Sequence, residues 1–197
     1  MKPIFVLALI LITNLSVTFT PPKPEEFTCT YSLDKGWMSA GGNFVVKEIV
    51  GNDQTGLIEI VKRIKEVASI DEERFRVMLA KNENNARALL QNNQRYLIID
   101  VDFLVNVNDR CHNRWAAISI IAHEIGHHIS NFEGSAHEKE LKADYWSGYI
   151  LQKLGASQSS ACIAMQLIGS NNDSSSHPNK FRRIQSIKQG FADAENN

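Results

Sequence analysis

Residues 118–129 read Ile-Ser-Ile-Ile-Ala-His-Glu-Ile-Gly-His-His-Ile, and both the fold and the chemistry of the chain turn on them. Trp115–Ser130 is apolar on most of its faces, which predicts a buried helix. Inside it lies His123-Glu124-Ile125-Gly126-His127, an HExxH pattern. On a helix, residues four apart share a face, so both imidazoles can reach a single cation. Neutral imidazole is a good zinc ligand, and Glu124 stands where a carboxylate can take a proton from an activated water. With 6 histidines in 197 residues, a random order of this composition produces the pattern about one time in a hundred. A buried helix carrying two histidines and a glutamate is costly unless those groups have a partner.

A catalytic zinc needs a third protein ligand and an open position for water. Downstream lies Glu140-Leu141-Lys142-Ala143-Asp144. The gap from His127 leaves room for a turn and the start of an antiparallel helix. Glu140 is therefore the candidate third ligand. Asp144, four residues later, shares its face and is placed to accept a hydrogen bond from a ligand histidine, fixing its tautomer. The plainer reading is an exposed charged face, since Glu138, Lys139, Glu140 and Lys142 cluster there.

Around this centre the pattern predicts an α+β fold, a small mixed β-sheet packed on a helical bundle. Gly56–Ser69 has helical spacing of Leu57, Ile60, Val61, Ile64 and Val67. Phe75–Leu79 and Tyr96–Val105 are apolar, β-rich runs and read as strands. Between them Asn82–Asn93 is Asn-rich, with Ala86–Leu90 as a candidate edge strand. His137–Leu154 reads as a second long helix ended by Gly155, and Ser157–Ile168 as a third. Ser170–Ser176 reads as a polar loop, and Pro178–Gln189 as a last helix stopped at Gly190. His128, about 100° round the helix from His127, is expected beside the site or at the surface. His112 and His137 fall at helix ends, and Trp115 and Trp146 lie on apolar faces and read as core.

The formal net charge of -1 recommends no nucleic-acid partner. Lys2, the apolar run Ile4–Thr13 and the prolines at 21 and 22 make residues 1–20 resemble a signal peptide, or else an N-terminal anchor that would tether the chain to a membrane. On that reading the protein is expected outside the cytoplasm, secreted or periplasmic, with or without a membrane anchor. Residues 21–55 hold most of the turn signals and read as a loosely organised stretch with one short strand near Phe44–Val50, leaving 56–197 as the metallopeptidase domain. Of Cys29, Cys111 and Cys162, export would allow one disulfide and leave one thiol free.

His-Glu-Ile-Gly-His followed by Glu-x-x-Ala-Asp resembles the gluzincin metallopeptidases of the HtpX-like and CAAX-prenyl-endopeptidase-like group. Ser176-His177-Pro178 followed by Arg183-Ile184 is similar to that family's C-terminal motif. The resemblance covers roughly residues 75–190. It implies one zinc held by His123, His127 and Glu140, with Glu124 as the catalytic residue of an endopeptidase acting on proteins or peptides. It further implies that His177 faces the cleft to stabilise an oxyanion and that Arg183 supports the site electrostatically. Asn85-Ala86-Arg87-Ala88 is similar to the family segment where an edge strand pairs with an extended substrate. Two features depart from the pattern. Membrane members carry several spanning helices, where this chain has one apolar run, and Lys142 replaces an acidic residue at a solvent-facing position. The rival to an active peptidase is a catalytically silent zinc-binding or interaction module of the same fold.

Overall fold

In the computed structural model, β-strand pairing begins near the N-terminus and the helices follow. The structure describes residues 55–70 and 75–197, together with the short strands at 27–28, 31–32 and 47–48. The leader-like residues 1–20, most of the stretch 21–55, and Cys29 lie outside the described residues.

The elements run β1 (Phe27–Thr28), β2 (Tyr31–Ser32), β3 (Lys47–Glu48), α1 (Thr55–Ala68), β4 (Phe75–Ala80), β5 (Asn85–Gln91) and β6 (Gln94–Asp100), then five helices. These are α2 (Val101–Cys111), α3 (Trp115–Ile129), α4 (Ala136–Lys153), α5 (Gln158–Ile168) and α6 (Lys180–Glu195). The architecture is α+β, as the pattern predicts. Among the described residues no helix is long and apolar enough to cross a membrane.

The body of the sheet is β5-β6-β4. β5 and β6 form an antiparallel hairpin whose two loop residues, Asn92 and Asn93, have φ of 51° and 61°. Left-handed conformation at both loop positions matches the twist of the strands, and asparagine tolerates it well. β4 runs parallel to β6 on its other side, so the chain crosses over the end of β6 between β4 and β5. Asp100 holds that crossover: its Oδ2 accepts from the amides of Glu83 and Asn84, each at 2.9 Å.

The same Asp100 corrects one expectation. The apolar run from Tyr96 was read as strand to Val105, but the strand stops at Asp100 and α2 starts at Val101. Asp100 Oδ1 accepts from the Asp102 amide at 3.1 Å, a side-chain N-cap. Beyond it Phe103, Leu104 and Val107 recur at helical spacing and are buried. Ala86–Leu90 is likewise no free edge, because β1 and β2 pair along its outer side. α6 runs on past Gly190 to Glu195, since Gly190 serves packing there and not termination. Cys111 and Cys162 are free thiols and do not pair with each other.

The helices converge through backbone contact. A Cβ on Gly126 of α3 would stand 2.7 Å from the Ala143 carbonyl oxygen of α4. On α4, a Cβ on Gly148 would meet the Ile187 carbonyl oxygen of α6 at 1.9 Å, and one on Gly190 would meet that of Tyr145 at 1.9 Å. These three glycines let α3, α4 and α6 lie close, so that polar side chains from all three can meet inside. Ser147 Oγ donates to the Ser119 carbonyl at 3.0 Å and Ser186 Oγ to that of Leu141 at 2.6 Å, tying the same helices. The apolar core below is built from Ile64, Leu97, Ile99, Phe103, Ile120, Ile125, Ile150 and Met165, all buried.

Candidate metal centre

α3 carries His123, Glu124 and His127 on its buried side, and α4 faces them with Glu140 and Asp144. The start of α4 is held by a capping box, in which Ser135 and Glu138 each bond the other's backbone amide. All five groups are at most 4% exposed. The three expected ligand atoms converge. His123 Nε2 and His127 Nε2 are 3.1 Å apart, His127 Nε2 and Glu140 Oε1 3.4 Å, and His123 Nε2 and Glu140 Oε2 3.6 Å.

Those separations test the fit of a metal. Zinc with bonds of about 2.0–2.1 Å in a tetrahedral shell sets its ligand atoms about 3.3–3.4 Å apart. The imidazole–imidazole edge and the two imidazole–carboxylate distances, which end on different oxygens of Glu140, lie near that value, and the donor set, two imidazoles and a carboxylate, suits zinc chemically. Charge points the same way. Glu124, Glu140 and Asp144 are three buried carboxylates, and Arg183 is the single guanidinium among them. Buried charges need compensation, and a dication held by His123, His127 and Glu140 would add to it.

The supporting contacts are specific. His123 Nδ1 is 2.8 Å from Asp144 Oδ1, which leaves Nε2 with its lone pair toward the ligand cluster. Arg183, from α6, grips Asp144 with both arms of its fork, Nε to Oδ2 at 2.7 Å and Nη2 to Oδ1 at 2.9 Å. Nη2 also lies 3.0 Å from Glu140 Oε2. One cation therefore positions a candidate ligand and the carboxylate that orients another. His177 stands at the rim, with Nε2 3.7 Å from Glu140 Oε2 and Nδ1 2.7 Å from Ser176 Oγ. It is the only one of the seven expected residues whose side chain is substantially open, at 27%.

Burial dominates the proton affinities. It pushes the Glu124 carboxyl well above the usual range, and the neighbouring Glu140 charge adds to the shift. Burial would raise Glu140 as well, but the His127 hydrogen bond and the Arg183 guanidinium outweigh it and hold Glu140 well below. His123 is pushed down to about 4 by burial, against the pull of Asp144. A histidine kept neutral and a glutamate kept ionised are the forms that bind metal.

Every expected site residue is thus brought to one place. Three further contributors were not foreseen. The Ala88 amide of β5 donates to Glu124 Oε2 at 2.7 Å, leaving Oε1 without a partner among the described residues. Phe132, buried and held at a φ of 55°, stacks on the His127 ring with centroids 5.7 Å apart and planes 7° from parallel. Arg95 of β6 donates to the His128 carbonyl at 2.7 Å and to Asn131 Oδ1 at 2.7 Å, closing the end of α3. A backbone donor leaves no trace in sequence. The Asn131-Phe132 pair after the motif was the available signal, since asparagine favours the left-handed region that ends a helix.

The other histidines have structural places. His128 is buried, its Nε2 2.9 Å from the Tyr96 carbonyl. His112 caps α2 in the left-handed region. His137 Nε2 lies 2.7 Å from the Ser174 carbonyl, fastening the start of α4 to the loop that carries His177. Lys142 is exposed, as expected. A separate apolar hollow of about 790 Å³ between α1, α2 and α3 includes none of the site residues. No protein-family model, no curated protein and no solved structure matches the chain.

Proposed function

We propose that this protein is a zinc-dependent endopeptidase with a zincin-like fold, its metal held by His123, His127 and Glu140. The observation that carries the reading is the convergence of two buried imidazoles and a buried carboxylate, with one ligand atom of each within 4.8 Å of the others, beside a buried, partly unbonded glutamate. When bound, zinc supplies a Lewis acid for a peptide carbonyl and lowers the pKa of a coordinated water toward about 7.

The chain's own groups account for the remaining steps. Glu124 takes the proton from the attacking water on Oε1 while Ala88 N–H anchors Oε2, and then delivers that proton to the leaving amine. His177 at the rim donates toward the oxyanion, with Ser176 setting its ring. Asp144 holds His123 in the tautomer that presents Nε2, and Arg183 holds Asp144. No covalent intermediate is required. The substrate is a protein or peptide, and the leader-like N-terminus supports a site of action outside the cytoplasm, with or without a membrane tether.

The test compares metal content and cleavage of an unfolded protein for the chain and for Glu124→Gln. The expected result is one zinc in each and cleavage only by the parent. Zinc in both with cleavage by neither would leave a zinc-binding module and remove the peptidase reading.

A further inference from the structure

The outer side of β5 is where the site meets the sheet. In an antiparallel ladder the amides point alternately to the two neighbouring strands. Ala88 lies opposite Leu97 of β6, yet its amide goes to Glu124 at 2.7 Å. A chain laid along the outer side of β5 therefore runs past the carboxylate assigned to proton transfer. Addition of an extended segment to a sheet edge is a common way to bind peptide backbone without regard to its side chains.

That edge is already taken. β1 pairs Phe27 with Leu90 and Thr28 with Leu89, and β2 pairs Tyr31 with Ala86 and Ser32 with Asn85. The four pairs belong to one antiparallel register. Between them on β5 lie Arg87 and Ala88, so the two short strands bracket the position that contacts Glu124. Among the described residues they add four to the ladder, in two separate pairs, and so short an edge strand is marginal by itself. It shields the edge from other chains yet is light enough to be displaced.

We propose that β1 and β2 occupy the strand-addition edge of β5 as a built-in competitor, so that a substrate must displace the chain's own N-terminal segment before it is cut. The proposal rests on the peptidase reading, and it names the substrate class as extended, unfolded polypeptide long enough to replace that ladder. The site is latent while the segment is paired and opens when the segment is displaced or removed.

The test uses the double variant Phe27→Pro/Tyr31→Pro, because these residues stand opposite Leu90 and Ala86, whose backbone groups face the outer side as that of Ala88 does, and proline lacks the ladder donor. Binding is measured in a Glu124→Gln background with zinc, by anisotropy of a fluorescein-labelled peptide of residues 25–34 carrying Cys29→Ser. If the resident strands fill the edge nine-tenths of the time, the double variant binds the peptide about tenfold more tightly. Its rate on an unfolded protein, with Glu124 restored, rises by a similar factor. Equal peptide affinity in the two chains overturns the proposal. Tighter peptide binding without any cleavage retains the occupied edge and rejects the peptidase reading instead. Because the prolines can also disturb folding, a second chain carries a specific-protease site within residues 36–42. After cutting, release of the N-terminal fragment on dilution, with unchanged helical circular dichroism, is the expected result. A fragment that stays bound, or a domain that unfolds when the fragment leaves, makes β1 and β2 a permanent part of the sheet and overturns the proposal.

Discussion

Asp144→Asn removes one charge from the centre of the site and keeps its shape. In the parent, three donors converge on this carboxylate. His123 Nδ1 is 2.8 Å and Arg183 Nη2 2.9 Å from Oδ1, and Arg183 Nε is 2.7 Å from Oδ2. An asparagine offers one acceptor oxygen and one amide. With the amide on the Oδ1 side it confronts both His123 and Nη2; on the Oδ2 side it confronts only Nε, so the second arrangement wins. His123 then keeps a neutral acceptor in place of a charged one, and its Nε2 becomes a weaker donor to the metal. Loss of such an orienting carboxylate costs about 10- to 100-fold in metal affinity, which is about 1.4–2.7 kcal/mol. The assay is zinc competition against a chromogenic chelator at pH 7.5, with Arg183→Gln beside it. Arg183→Gln breaks the fork to Asp144 and the contact with Glu140 but leaves the bond between Asp144 and His123. Its expected signature is therefore a loss of folding stability larger than its loss of zinc affinity. If Asp144→Asn binds zinc within twofold of the parent, the carboxylate serves the ion pair with Arg183 alone, and its role in orienting His123 is wrong.

Other outcomes follow from packing and burial. Gly190→Ala places a Cβ 1.9 Å from a backbone oxygen that cannot swing aside, so α4 and α6 must separate. The cost is about 3 kcal/mol, read as a fall of roughly 6–12 °C in melting temperature, and a loss below 1 °C would contradict the close approach. Phe132→Ala removes the ring stacked on His127 and lowers stability by about 3–5 kcal/mol with a drop in zinc affinity. Phe132→Tyr keeps both, as chemical denaturation and chelator competition can check. His128, pushed down to about 3 by burial, stays neutral in the folded chain while the unfolded chain takes up a proton below pH 6.5. Its contribution to stability is whole above pH 6.5. It is lost at about 1.4 kcal/mol per pH unit as pH falls, and it levels off near 3. Urea unfolding of the metal-free chain from pH 7 to 5 should include that slope beside the one from His123, and His128→Gln should remove its own share and leave the rest.

How far the sequence reached depended on whether a function lives in a side chain or in the backbone. His123 and His127 were legible because residues four apart share one face of a helix, Glu124 because the HExxH pattern sets it beside the first histidine, and Glu140 and Asp144 because the same four-residue spacing recurs on the next helix. Arg183 and His177 came from motif likeness, and their convergence needed the glycine contacts that draw α6 onto α4. The strand overrun at Val101–Val105 has a different cause. Hydrophobic runs do not mark where a strand hands over to a helix. Asp100 does, since it caps α2 and anchors the crossover at once, and an aspartate before Phe103, Leu104 and Val107 was the readable sign. The least legible feature was the outer edge of β5. Pairing in a ladder is made by amides and carbonyls that every residue carries, so nothing in Phe27-Thr28 or Tyr31-Ser32 names its partner. The consequence is chemical as well as topological. The amide that anchors Glu124 belongs to the same strand that those residues cover, so the position of the Glu124 carboxylate and the occupancy of the edge are set by one piece of backbone. A substitution that shifts β5 by one residue, such as a deletion in the Asn92-Asn93 turn, should therefore disturb both together. It would turn the Ala88 amide away from Glu124 and release β1 and β2 from their register, whereas changes on α4 would leave the strand pairing intact.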